Sequence, residues 1–149
     1  LVLFKPYTYM NLSGEAVLSL MEWYKLEPEE VMVYSDDVDL EAGQLRIRAC
    51  GGAGTHNGWR SILQQTGSEA FPRARIGIGA PPAGWDLKDW VLSRWDRDDQ
   101  TDLIREANSL ASKAGICFIQ SGIQLTMNQY NLKSRQKKEN GRPEDSDAG

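Results

Sequence analysis

The chain has 149 residues, a formal net charge of −4 at pH 7, 40% hydrophobic residues and 26% charged residues. These values are ordinary for one globular domain, and no apolar run is long enough to span a bilayer. The chain contains one histidine and two distant cysteines, Cys50 and Cys117. This composition excludes a His/Cys metal cage and favours reduced thiols over a disulfide.

The first residues are apolar, and residues 1–4 predict a buried strand. Because natural domains seldom begin with an uncapped core strand and residue 1 is Leu rather than Met, we expect the natural protein to extend upstream. A helix is predicted next, because apolar side chains recur at helical spacing over residues 16–24. Ser13 is its candidate N-cap.

Tyr9 and Asn11 lie just before this helix. An amide side chain donates and accepts hydrogen bonds at once, which suits the backbone of a peptide or a polarised carbonyl. An aromatic ring such as that of Tyr9 can stack on a sugar, a base or another side chain. From the pattern alone, a turn asparagine and a core tyrosine are the favoured interpretation.

Two further strands are predicted at residues 31–34 and 44–49, and an acidic segment follows the first of them. Three interpretations of this segment stay open. It could be a polar turn, Asp36 could orient a histidine that acts as general base, or Asp36, Asp37 and Asp39 could bind Mg²⁺.

A glycine-rich segment at residues 51–58 leads into a helix predicted at residues 57–66. Glycine permits positive φ and close approach of the backbone to a ligand, and a helix start offers bare N–H groups to an anion or polar substrate. Asn57 is a candidate substrate ligand at this position. The alternative is a flexible surface loop in which Asn57 caps the helix.

The remaining pattern contains another strand, a Gly/Pro loop, a short aromatic segment and two helices. Short apolar strands that alternate with helices predict an α/β fold, a three-layer α/β/α domain with a central mixed, mostly parallel sheet. We expect this domain to cover residues 1–132 and a polar, disordered tail to cover residues 133–149. The strand is predicted at residues 74–79, the Gly/Pro loop at 79–84, the aromatic segment at 85–95, and the two helices at 99–114 and 123–130.

Basic residues concentrate between positions 44 and 79, where five arginines face one acid, Glu69. Arg46 and Arg48 lie on one face of the predicted strand because side chains alternate. A local arginine patch suits a phosphate-bearing substrate, whereas scattered solvated arginines are the plain alternative. The five are Arg46, Arg48, Arg60, Arg73 and Arg75.

In this order, the segments resemble the bacterial-type peptidyl-tRNA hydrolase family over about residues 1–130. The resemblance is specific because several motifs occur in sequence at plausible spacing. The matching motifs are KPYTYMNLSG at residues 5–14, VYSDDVDL at 33–40, GGAGTHNGWRS at 51–61, FPRARIGIG at 71–79 and WVL at 90–92.

The resemblance implies a monomeric, cytoplasmic esterase, without metal or cofactor, that cleaves the bond between a peptide, or an N-blocked aminoacyl group, and the 3′ ribose of tRNA. Such an enzyme recycles peptidyl-tRNA released from ribosomes. In the family a histidine is the general base, and the residue matching Asp36 orients and stabilises it. The matches to Asn11 and Asn57 bind substrate near the scissile ester, and the match to Tyr9 lines the same site.

The resemblance also implies that His56 is a supporting residue and that Arg46, Arg48 and Arg75 meet tRNA phosphates. The family's catalytic histidine, N-terminal strands and first helix precede the part that matches this chain. We therefore expect an N-terminally truncated form with little or no activity alone. Thr55 departs from the family pattern, because it replaces a glycine typical of the loop.

Two other functions compete with the hydrolase. One is a non-catalytic RNA-binding relative, as in the chloroplast intron-splicing protein of this fold, which an exposed apolar patch at Trp85, Trp90 and Trp95 would favour. The other is a Mg²⁺-dependent phosphate enzyme that uses the three aspartates, which a chelator would inhibit. The presence of Asn11, Asp36 and Asn57 favours the hydrolase over the non-catalytic RNA-binding relative.

Overall fold

Three short strands, β1 (Val33–Asp37), β2 (Leu45–Arg48) and β3 (Arg73–Gly77), form a mixed sheet. Their order is β1-β3-β2, so the strand that comes last in the sequence is central. They belong to a computed structural model that describes residues 1–93 and 98–140. The predicted α/β class and the mixed sheet are confirmed.

The backbone hydrogen bonds set the strand directions. The Val33 N–H donates to the Pro72 carbonyl (2.9 Å), and farther along both strands the Ile78 N–H donates to the Asp37 carbonyl (3.0 Å). The residue numbers increase in the same direction on both strands, so β1 and β3 are parallel. Because the sheet is mixed, β2 pairs with β3 in the antiparallel sense.

The helices follow the apolar periodicity. The helix predicted at residues 57–66 has those same bounds and ends at Gly67, whose φ of 68° suits a left-handed C-cap. A 3-10 turn precedes the first helix and another precedes β1. The described helices are α1 (Ser13–Tyr24), α2 (Asn57–Thr66), α3 (Leu87–Val91), α4 (Asp98–Ser121) and α5 (Ile123–Asn140), and the 3-10 turns are Met10–Leu12 and Pro28–Glu30.

The chain divides into two compact units. Residues 1–35 and 47–74 form the first unit, whose core consists of buried side chains from α1, α2 and the segment before β3. Burying such side chains is the main stabilising contribution to this unit. The core residues are Val17, Met21, Trp59, Ile62 and Phe71.

Residues 36–46 and the chain from Arg75 onward form the second unit. Its long helices, α4 and α5, pack on each other, and three small side chains of α4, Ala107, Ala111 and Ala114, are at most 2% exposed. Thr126 of α5 is fully buried and donates its hydroxyl hydrogen to the Gly122 carbonyl (2.8 Å), which satisfies the hydroxyl within its own helix.

The prediction of a buried strand at residues 1–4 is wrong. The four side chains are between 44% and 88% exposed, and no strand among the described residues pairs with them. A strand needs a neighbour for its N–H and C=O groups, and apolar composition alone does not supply one.

Several predicted boundaries also move. β1 begins two residues later than predicted and runs through Asp37, so Asp36 lies inside the strand. α4 continues to Ser121, and α5 continues past its predicted end at residue 130 and reaches Asn140. Residues 133–140 consist mainly of Lys, Arg, Gln and Glu, which favour continuation of an existing helix. The rest of the predicted tail, residues 141–149, lies outside the described residues.

Candidate functional site

The 3-10 turn at Met10–Leu12 presents Tyr9 and Asn11 to solvent. Tyr9 has an extended backbone and is 82% exposed, so it is not the core tyrosine of the alternative interpretation. The Leu12 N–H donates to the Tyr9 carbonyl (2.9 Å), and the Ser13 hydroxyl donates to the Met10 carbonyl (2.8 Å). These bonds fix the turn, and Asn11 stays exposed in its middle.

His56, rather than Asn57, caps α2. Its Nδ1 accepts hydrogen bonds from the backbone N–H groups of Gly58 (3.1 Å) and Trp59 (3.4 Å). These N–H groups have no acceptor within the helix, so the imidazole acts as the N-cap, a role that Asn or Ser side chains usually fill. Asn57 is thereby released from capping, and its side chain is exposed at the first position of the helix.

The turn and the start of α2 lie against each other. A Cβ built on Gly58 would lie 2.7 Å from the Met10 Sδ and 3.0 Å from the His56 ring, so the Met10 side chain occupies the space that Gly58 leaves open. The structure therefore brings together the segment that carries Asn11 and the segment that carries Asn57. Both belong to the first unit.

The glycine loop (residues 51–54) precedes this helix start. Gly54 has a φ of 57°, a left-handed conformation that glycine adopts without strain. Thr55 has no positive φ, so the loop does not require glycine at that position. The Gly51 N–H donates to the Glu69 carbonyl (3.1 Å), and the Arg60 Nε–H donates to the Gly54 carbonyl (3.3 Å).

Arg73 does not belong to a solvated arginine patch. It is 5% exposed, and its guanidinium donates to the carbonyls of Gly51 and Gly52, the latter at 2.7 Å. The guanidinium also lies 3.7 Å from the centroid of the Trp59 ring. Sequence reasoning missed this structural role because strand alternation alone does not distinguish a buried arginine from an exposed one.

Trp59 connects the Arg73 guanidinium and the glycine loop to β1. Its indole N–H donates to the Ser35 hydroxyl (3.0 Å), and Ser35 directly precedes Asp36 in the strand. Asp36 is half-buried. Tyr34, on the same strand face as Asp36, is 44% exposed, and burial of the remainder raises its pKa, so it is a neutral phenol near pH 7.

In the second unit, Asp37 pairs with Arg75. One Asp37 oxygen lies 2.5 Å from both Nε and Nη2 of the arginine, and the other accepts the Asp39 N–H (2.8 Å). The Asp37 side chain is 11% exposed and that of Arg75 is 33% exposed. Because the Asp37 carboxylate neutralises the guanidinium charge of Arg75, it weakens any attraction of Arg75 for phosphate.

Across the described part of the chain, no three His, Cys, Asp or Glu side chains cluster as a metal site would need.

The predicted alternation of β2 is confirmed. Leu45 and Ile47 are buried at 2% and 0%, while Arg46 is half-buried and Arg48 is exposed. The two arginines thus lie on the face opposite the core, and Arg48 donates from Nη1 to the Ile47 carbonyl (3.2 Å).

Two of the three tryptophans that could form an exposed apolar patch, Trp85 and Trp90, contact each other. Trp85 and Trp90 stack edge to face, with centroids 5.8 Å apart and an interplanar angle of 81°. Trp90 is half-buried and its indole N–H donates to the Gly79 carbonyl (3.0 Å), whereas Trp85 is 40% exposed. Trp95 lies outside the described residues.

Within residues 1–93 and 98–140, no helix has the length and apolar character that crossing a membrane requires.

Replacing His56 tests the cap. His56→Ala is expected to lower the free energy of unfolding by about 1 kcal/mol, because two backbone donors lose their acceptor. His56→Asn supplies a new capping oxygen and is expected to restore most of that loss. Urea unfolding of the three proteins measures both effects, and equal stability of the Ala and Asn variants would contradict the capping role.

Comparison with known proteins places these motifs in one family. The model of the family described as peptidyl-tRNA hydrolase matches residues 1–140. The peptidyl-tRNA hydrolase of Symbiobacterium thermophilum is 46% identical over 130 residues, which are 87% of this chain and 68% of that protein. The peptidyl-tRNA hydrolase of Syntrophomonas wolfei is 49% identical over 131 residues, 88% of this chain and 70% of that protein.

Solved structures agree with the sequence relatives. A crystal structure of peptidyl-tRNA hydrolase from Acinetobacter baumannii has a TM-score of 0.77 and 32% identity, covering 85% of this chain and 63% of that one. The chain thus spans about two thirds of the length of its curated relatives and less than two thirds of this solved structure.

Proposed function

The chain belongs to the peptidyl-tRNA hydrolase family, and from this we propose that it binds the ester between a peptide, or an N-blocked aminoacyl group, and tRNA for hydrolysis. The observation that carries the proposal is the contact between Met10 and Gly58, which places the Asn11 turn against the Asn57 helix start. Two exposed amides on adjoining segments can hold a peptide backbone and position its ester carbonyl. The reaction would recycle peptidyl-tRNA released from ribosomes.

Each site residue has a role in this proposal. Asn11 and Asn57 hold the acyl group, and the exposed ring of Tyr9 lines the same site. Asp36 orients a histidine and stabilises it as it accepts a proton from water. Arg46 and Arg48 attract tRNA phosphates from the exposed face of β2, with a smaller contribution from Arg75, whose charge Asp37 neutralises.

His56 is not the general base in this proposal. A neutral imidazole has one nitrogen that accepts and one that donates, and the acceptor of His56, Nδ1, is engaged by the α2 cap. The hydrogen-bond pattern therefore assigns the proton to Nε2, which leaves no lone pair for a water proton. His56 is the one histidine in the 149 residues. We infer that these residues alone bind substrate and hydrolyse it slowly.

The proposed partner is peptidyl-tRNA, which translation releases in the cytoplasm. The protein is proposed to bind it there as a monomer. No metal takes part, so EDTA is expected to leave function unchanged. The hydrolase is favoured over a non-catalytic RNA-binding protein because the two amides and Asp36 serve an acyl ester and are not needed to hold phosphates.

Binding separates these two functions. The 149-residue chain is expected to bind N-blocked aminoacyl-tRNA about tenfold more tightly than the same tRNA without its acyl group, since the amides add hydrogen bonds to it. Asn11→Ala and Asn57→Ala should each reduce this preference, whereas Asn108→Ala, an exposed amide in α4, should not. Equal affinity for the two tRNAs, unchanged by the variants, would replace the hydrolase with the RNA-binding function.

A further inference from the structure

Arg73 is a charged residue in the core of the first unit. Its neighbours Pro72 and Ala74 are buried as well, and Arg73 itself is 5% exposed. A buried guanidinium is strongly unfavourable unless its N–H groups are hydrogen-bonded. Two of them donate to consecutive carbonyls, those of Gly51 and Gly52, so the arginine is fixed to the glycine loop.

The aromatic face of Trp59 covers the other side of this guanidinium at 3.7 Å. Trp59 is 4% exposed, and its own backbone N–H donates to the capping His56 (3.4 Å) while its indole N–H donates to Ser35 (3.0 Å). One side chain therefore contacts the guanidinium, the start of α2 and the residue before Asp36. Through it, Arg73 is connected to each of these segments.

We propose that Arg73 is a positioning residue that holds the glycine loop and the His56–Asn57 helix start in the geometry that binds the acyl group. Being buried, it does not meet substrate itself. Arginine suits the role because its planar fork spans two adjacent carbonyls while its face stacks on an indole, and lysine cannot do both. The inference rests on the proposed function, because the property that Arg73 controls is recognition of the acyl group.

The test compares Arg73→Lys with Arg105→Gln, an exposed arginine of α4 whose side chain is 76% exposed. Affinity is measured for N-blocked aminoacyl-tRNA and for the same tRNA deacylated, together with thermal unfolding and the NMR shift of the Trp59 indole N–H. Arg73→Lys is expected to remove most of the roughly tenfold acyl preference, leave deacylated tRNA affinity unchanged and shift the indole signal. Arg105→Gln should change none of these.

Loss of affinity for both tRNAs alike would make Arg73 a general tRNA or folding residue, and an unchanged acyl preference would remove its positioning role. Either result overturns the proposal. If Arg73→Lys fails to fold, Arg73→Gln decides, because its amide can still donate to one loop carbonyl but cannot span both carbonyls or carry the charge. Reduced acyl preference in that variant supports the proposal, and full preference overturns it.

The two proposals fail differently. If the unmodified chain shows no acyl preference, the proposed function fails and the inference about Arg73 falls with it. If the unmodified chain shows the preference and Arg73→Lys retains it, only the inference about Arg73 fails.

Discussion

Replacing Gly14 with alanine is expected to lower the free energy of unfolding by about 3 kcal/mol, at the upper end of what overpacking costs. A Cβ at this position would lie 2.1 Å from the Ser61 carbonyl oxygen and 2.4 Å from its carbon, and both are backbone atoms that cannot rotate away. α1 and α2 would have to separate. The buried hydrogen bond from the Gly14 N–H to the Ser61 hydroxyl (2.8 Å) would lengthen as well.

Chemical unfolding of Gly14→Ala beside Gly52→Ala checks this expectation. A Cβ on Gly52 would meet only the Glu69 carboxylate oxygen at 3.8 Å, an ordinary contact, so this control is expected to change stability by less than about 0.5 kcal/mol. Because the α1–α2 contact also supports the Met10–Leu12 turn, Gly14→Ala should weaken acyl recognition too. Native stability of Gly14→Ala would show that the two helices can separate at little cost.

Trp59→Ala is expected to lower the free energy of unfolding by about 4 kcal/mol, as is usual for truncation of a buried aromatic side chain. Trp59 packs in the core with Val17, Met21, Ile62 and Phe71, and its ring covers the Arg73 guanidinium. The alanine variant would leave a cavity and a buried positive charge without its aromatic cover.

Trp59→Phe is the matched variant. It keeps most of the buried volume and a ring over Arg73 but lacks the N–H that donates to Ser35, so a loss of about 1 kcal/mol is expected. Thermal or urea unfolding measures both variants. Similar stability of the Phe and Ala variants would contradict the claim that the ring itself stabilises the cluster.

The elements that could be predicted from the sequence are those fixed by local pattern. The bounds of α2 follow from its apolar spacing and from Gly67 at its end, and the faces of β2 follow from simple alternation. The motif order gave the family, because several specific segments had to occur in sequence. Each of these signals lies within a short stretch of chain.

The features that could not be predicted depend on contacts between distant residues. Gly14 looked like an ordinary residue near a helix start, yet its lack of a side chain matters because Ser61, 47 positions later, lies against it. His56 and Asn57 are both able to cap a helix, and only the fold decides between them. Arg73 stood in the sequence between Pro72 and Ala74, and these apolar neighbours were the one local signal that it is buried.

Release of tRNA from N-blocked aminoacyl-tRNA tests the central claim most directly. We would measure it in EDTA, for this chain alone and for this chain joined to the part of the Acinetobacter baumannii peptidyl-tRNA hydrolase that it does not cover, which we propose supplies the histidine that Asp36 orients. The account predicts slow release by the chain alone and fast release by the joined form. In the joined form, Asp36→Asn should reduce release by roughly 10³-fold or more, and His56→Asn should reduce it little. Fast release by the 149 residues alone that disappears in His56→Asn, or a joined form that needs a metal, would contradict the account.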